Sequence, residues 1–174
     1  MAGLVELARA HTLLSDDQID HLQRLAGSWG LLADLCFADL LLFAPVGQGQ
    51  EDGFIVLGQV RPATSQTLYR SDLMGEMVSA AERPVVSRCL QRDEMIEGEV
   101  TSAAVRELVR IECIPVRAEG VPIAVLTRAR IGSITWAVAV LLVISVRNVT
   151  SRHVPSTTYS GFVRPTSAKT FPHQ

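Results

Sequence analysis

Cysteine is scarce and lysine almost missing. The 174 residues contain three cysteines, Cys36, Cys89 and Cys113, far apart and without a C-x-x-C pair. That argues against a disulfide framework and suits a reduced, cytoplasmic setting. Lys169 is the single lysine among 16 basic residues, a bias that carries no mechanism. Excess positive charge is also lacking: the net charge of −2 gives no general reason to expect nucleic acid as a partner. The start, Leu4 to Ala10, has no basic stretch ahead of a long apolar run, so it does not read as a secretory signal. No G-x-G-x-x-G, G-x-x-x-x-G-K-[ST], H-E-x-x-H or G-x-S-x-G occurs. The four histidines, His11, His21, His153 and His173, are isolated from any Cys or His at metal spacing. No catalytic residue and no metal site is predicted.

What is present suffices for one packed domain. Hydrophobic residues make up 48% and charged residues 20%, which excludes global disorder. The charge is unevenly placed. All 18 acids lie in residues 1–128, whereas 129–174 holds five basic residues and no acid. We place a boundary at Arg128, with a domain over 1–128 and an atypical tail over 129–174.

Leu4 to Ala10 predicts a short helix. Ser15-Asp16-Asp17-Gln18 is a helix start: Ser15 can cap, Gln18 can reach back, and the aspartates favour the positive helix end. Ile19, Leu22, Leu25, Ala26 and Trp29 then recur at helical spacing, and the helix is expected to run to about Leu35. His21 falls off that stripe and reads as a solvated position. Phe37 to Phe43 and Phe54 to Val60 predict an antiparallel strand pair joined by the Gly47–Gly53 loop. Arg61 to Arg70 reads as a loop. Asp72 is expected to cap a short helix bearing Leu73, Met77 and Val78, and Pro84 to open another with Val85, Val86, Cys89 and Leu90. Gln91 to Glu99 reads as acidic and exposed. Val109 to Val116 and Val121 to Thr127 form a hairpin about the Ala118-Glu119-Gly120 turn. The fold class is α+β, an antiparallel sheet with helices packed on one face. Its expected core is Trp29, Leu32, Leu35, Phe37, Phe54, Val56, Ile111, Cys113, Ile123, Val125 and Leu126.

Few residues offer chemistry. The carboxylates Asp93, Glu94, Glu97 and Glu99 suit a solvated face better than a cation site. The thiols of Cys36, Cys89 and Cys113 sit in apolar contexts, where buried and inert is the default. Arg61 opens a polar loop after a strand; it suits either a surface salt bridge or an anionic ligand. If a ligand binds, its pocket is expected between the sheet and the short helices after Arg61. Arg61, Thr64 and Thr67 would form the polar rim, and Val86 and Cys89 the wall.

Several segments resemble the N-terminal GAF domain of actinobacterial cytosolic sensor histidine kinases of the PdtaS type. They are His11-Thr12-Leu13-Leu14, Asp20-His21-Leu22 and Trp29 to Asp39, then Arg61-Pro62 with Thr64 and Thr67. Ile114-Pro115-Val116-Arg117 and Ile123 to Arg128 complete the set. The resemblance covers residues 1–128. It implies a GAF-like signal-input region of a two-component system, sensing an unknown small molecule and regulating autophosphorylation in the full-length family. It also implies a homodimer and, through a kinase core, a response regulator as partner. That core, with its ATP and magnesium, is not represented in this chain, so no cofactor is expected and the chain alone is not an enzyme. Direct nucleic-acid contact and a membrane partner are not expected. The alternative is a catalytically silent dimerisation or protein-interaction module.

After Arg128 the chain departs from the family, as in a truncated or frame-disrupted relative or an input module standing alone. Ile131 to Val146 is an apolar run where a polar linker helix would stand. At 1.5 Å per residue it spans about 24 Å as a helix, short of the roughly 30 Å hydrocarbon core. A membrane helix, a packed element and an out-of-frame segment are the readings, and the abrupt loss of acids favours the last. Beyond Arg147 the Ser-, Thr- and Pro-bearing tail is expected to be disordered.

Overall fold

The structure is a computed structural model that describes residues 3–47, 53–63, 67–102 and 107–131. Most of the predicted Gly47–Gly53 loop, Thr64, and the run from residue 132 with the tail after it lie outside the described residues. The elements in chain order are α1 (Leu4–His11), α2 (Asp16–Ala26), α3 (Trp29–Cys36), β1 (Asp39–Pro45), β2 (Phe54–Val60), β3 (Met77–Val78), α4 (Pro84–Arg92), β4 (Ile96–Ser102), β5 (Glu107–Ala118) and β6 (Val121–Ile131). The six strands form one antiparallel sheet in the order β3-β2-β1-β6-β5-β4.

The helix starts follow local chemistry. Ser15 Oγ accepts from Gln18 N at 3.3 Å, and Gln18 Oε1 accepts from Ser15 N at 3.0 Å, closing the capping box expected for α2. The expected single helix to Leu35 is instead two helices. The chain breaks at Gly27-Ser28, where Ser28 Oγ donates to Leu25 O at 2.9 Å and so takes a carbonyl from the helix ladder. Restarting at Trp29 resets the helical phase. Trp29, Leu32, Ala33 and Cys36 turn inward, and Leu35, expected in the core, is 46% exposed.

Phe37, also expected in the core and at the strand's start, is 48% exposed. It adopts a left-handed conformation (φ 49°, ψ 43°) that ends α3 and turns the chain into β1, which begins at Asp39. The β5–β6 hairpin closes with positive φ at both Glu119 (51°) and Gly120 (83°), as a two-residue turn of the primed type requires.

The sheet is covered on both faces, not on one as expected. Leu40, Leu42 and Ala44 of β1 join Ile55, Leu57, Ile114, Val116, Ala124 and Leu126 under α1, α2 and α3. Leu41 and Phe43 join Phe54, Val56, Cys113 and Val125 under α4, which offers Val86, Cys89 and Leu90 at helical spacing. This explains the unbroken apolar run in β1, where six successive residues are buried: a central strand between two layers has no solvent face. Of the other expected core residues, all are buried except Ile111, which is half-buried.

Three further expectations are corrected. Residues 72–78 form no helix; a turn leads into β3, whose Met77 and Val78 pair with Ile55 and Phe54. The acidic stretch ends in β4, an edge strand paired along β5, where charged side chains alternate on an exposed rim. His21, expected at a solvated position, is 7% exposed on α2, the helix that packs against α1. Strand β6 continues to Ile131, three residues past the compositional break at Arg128.

Candidate functional site

A cavity of about 290 Å³ lies between the sheet and the start of α4. Its floor comes from three strands: Phe43 of β1, Ile111 of β5 and Thr127 of β6. Tyr69 closes one side from the loop after β2, and Ala81 to Val86 form the other. The walls are mostly apolar, with Tyr69, Thr127, Glu82 and Arg83 as the polar groups, the composition usual for a small-molecule site.

Each wall is placed by the sequence. α4 opens with Pro84, whose fixed φ suits the first helical position. It seats closely on β4: a Cβ on Gly98 would stand 3.0 Å from Val85 Cγ2. The loop carrying Tyr69 is held from beneath by Asp39. Its Oδ2 accepts from Leu68 N at 2.5 Å and its Oδ1 from Thr67 Oγ1 at 2.7 Å. Asp39 is 1% exposed, and these two bonds satisfy a carboxylate that burial would otherwise penalise.

The charged residues lining the cavity are one acid, Glu82, and one base, Arg83. Glu82 is bonded within its own turn: its Oε2 accepts from Ser79 N at 2.7 Å and Ser79 Oγ at 2.8 Å, and these bonds hold its carboxyl below the usual range. Arg83 precedes α4 and makes no side-chain cap there, and its Nε is buried without a hydrogen-bond partner. Burial pushes the Tyr69 phenol above its ordinary value against the opposing pull of Arg83, so Tyr69 is a neutral donor at neutral pH.

The sequence-predicted site residues are only partly brought together. Val86 lines the cavity. Cys89 lies one turn further along α4, fully buried in the core, its thiol pushed up to about 12 by burial. Cys113 on the facing strand is likewise raised to about 12, so both are protonated thiols. Thr67 is used in the bond to Asp39. Arg61 is exposed and donates through Nη2 to Ser71 O at 2.5 Å, away from the cavity. Of the expected acidic cluster, Asp93 pairs with Arg117 at 2.8 Å and Glu99 with Arg110 at 3.2 Å. Among the described residues, no group of three or more His, Cys, Asp or Glu is arranged to hold a metal ion.

Pattern reading missed Phe43, Tyr69, Arg83, Ile111 and Thr127. One signal was available. An arginine directly before a proline-opened helix has the wrong charge for the positive helix end and is not a capping residue.

Residues 4–133 match the family described as histidine kinase PdtaS, GAF domain. The chain is 32% identical over 131 residues to the sensor histidine kinase PdtaS of Mycolicibacterium smegmatis, covering 73% of this chain and 26% of that protein. It is 39% identical over 88 residues to the sensor histidine kinase PdtaS of Mycobacterium tuberculosis, covering 50% of this chain and 17% of that protein. A solved structure described as the sensor region of a sensor histidine kinase superposes with a TM-score of 0.62 at 25% identity, covering 86% of this chain and 50% of that one. The chain thus spans about a quarter or less of the length of these curated relatives, and what it shares with them is the sensor part.

Proposed function

The chain belongs to the GAF-domain family of the histidine kinase PdtaS, and on that premise we propose that it is a ligand-sensing input domain. A small molecule enters the cavity under α4, and its binding regulates autophosphorylation by a kinase core of the PdtaS type. The observation that carries this reading is the cavity itself. In a sheet covered on both faces, the α4 side leaves about 290 Å³ unfilled beneath a loop that Asp39 holds in place. A domain serving only as a spacer has no need of such a space. Among the described residues no helix is long and apolar enough to cross a membrane.

A second reading, a protein-interaction module, is favoured by one observation. Leu31 (70% exposed), Leu35 and Phe37 form an apolar stripe along and beyond α3, on the opposite side from the cavity. The two readings are compatible in a dimeric sensor.

The test is a thermal-unfolding screen of the full chain against small metabolites, repeated with Ile111→Trp, which fills the cavity from its floor. Stabilisation by a metabolite in the parent chain, lost in the variant, is the expected result. Stabilisation that Ile111→Trp leaves intact would remove the cavity from the account.

A further inference from the structure

We infer that the ligand of this cavity is a small carboxylic acid, with an apolar body and one terminal carboxylate received by Arg83. The inference rests on reading the cavity as the sensing site. About 290 Å³ has room for on the order of ten non-hydrogen atoms, at the roughly 30 Å³ that a water occupies in the liquid. Phe43, Val85, Val86 and Ile111 offer that body an apolar surface.

The single anionic group follows from the charges around the cavity. Among the described residues the Arg83 guanidinium has no hydrogen bond or ion pair, and its Nε is already out of water. It stands at the N-terminus of α4, which has no side-chain cap and whose Pro84 supplies no N–H. A guanidinium and the positive end of a helix therefore lie together with no carboxylate bonded to either; the charge of Glu82 is felt there only as a minor influence, and the arrangement favours an anion. The nearby carboxylates are engaged by other groups. Glu82 is bonded to Ser79, and Asp39 to Thr67 and Leu68.

Tyr69 adds a second, neutral donor within the field of Arg83. The Thr127 hydroxyl, held only by a long 3.4 Å bond to Leu41 O, is a third polar group on the floor. Among the described residues, Arg83 is the one cation lining the cavity. It matches one carboxylate in a forked, two-bond geometry and would leave a second anionic group uncompensated.

The experiment is calorimetric titration of the full chain with 3-phenylpropionate, its neutral amide and adenosine monophosphate. The parent is compared with Arg83→Met, Arg83→Lys and Ile111→Trp, each checked for folding by circular dichroism. The acid should bind at least about tenfold more tightly than the amide, as expected for a charge-assisted pair. Arg83→Met should abolish that preference, Arg83→Lys should retain part of it, and Ile111→Trp should lose both ligands. Equal binding of acid and amide, or a preference that survives Arg83→Met, would overturn the carboxylate assignment and leave the cavity as a site. Binding of the nucleotide without the acid would do the same. Binding of none of the three, or binding untouched by Ile111→Trp, would overturn the site reading as well.

Discussion

Asp39 and Leu68, 29 residues apart, are joined by a 2.5 Å hydrogen bond from the Leu68 N–H to a carboxylate buried at the start of β1. The bond fixes the loop after β2 at the point where it delivers Tyr69 to the cavity wall. Replacing Asp39 by Ala leaves the Leu68 N–H and the Thr67 hydroxyl without their partner. The expected cost is about 1–3 kcal/mol in chemical unfolding. Ligand affinity should fall as well, because Tyr69 loses its support. An Asp39→Ala chain with unchanged stability and affinity would show that the loop is held by other contacts.

On the opposite face, Arg128 and Glu112 are cross-strand neighbours on β6 and β5 and form an ion pair, each only 3% exposed. Arg130 approaches the same carboxylate at 3.8 Å. Removing one partner strands a buried charge. Glu112→Leu should therefore cost about 3–5 kcal/mol, whereas joint Glu112→Leu and Arg128→Met should recover much of it. Equilibrium urea unfolding of the parent, both single variants and the double variant measures this directly, and additive losses would contradict the coupling.

His21 is buried in α2 with Nε2 unpartnered. Burial, with a smaller contribution from Arg24, lowers its pKa below the ordinary 6.5. The unfolded chain then takes up the proton more readily than the folded one. The neutral imidazole's contribution is complete above the ordinary value and is lost as pH falls through it toward the folded pKa. Melting temperature should drop between about pH 7.5 and pH 5.5, and His21→Leu should flatten that part of the profile. An unchanged profile in the variant would place the titration elsewhere.

Trp29 packs over Gly58: a Cβ built on Gly58 would stand 3.2 Å from Trp29 Cζ3. Trp29 is 1% exposed and has no room to retreat. Gly58→Val should therefore destabilise by about 1–3 kcal/mol through overpacking, and Trp29 fluorescence should report the displaced ring. Wild-type stability in that variant would mean that the α3 layer yields.

Much of the fold was legible because local patterns decide it. The Ser15–Gln18 capping box, Pro84 at the head of α4 and the Glu119-Gly120 turn each set one element boundary. The chain's expected membership of its family rested on segments most of which fall within α1–α3, β1, β5 and β6, with Thr12 to Leu14, Arg61-Pro62 and Thr67 in loops. Long-range pairing was not legible. Nothing local says that β1 runs beside β6, or that β3 and β4 form the two sheet edges. The burial of Glu112 was not legible either, because its partner Arg128 is 16 residues away on another strand. Leu35 and Phe37 read as core because apolar composition cannot reveal that Ser28 restarts the helix and shifts its phase. The candidate site was the least legible part. Its lining comes from β1, β5, β6, a loop and the head of α4, so sequence spacing could suggest Val86 but not Tyr69, Ile111 or Thr127 beside it.

The central claim is that a ligand occupies the space beneath α4, and methyl NMR of the full chain titrated with 3-phenylpropionate tests it most directly. The account predicts shifts at the methyl groups of Val85, Val86, Ile111 and Thr127, with Leu57, Ile114 and Leu126 on the opposite face unmoved. Shifts confined to the opposite face, or to the exposed Leu31 and Leu35 of α3, would contradict it.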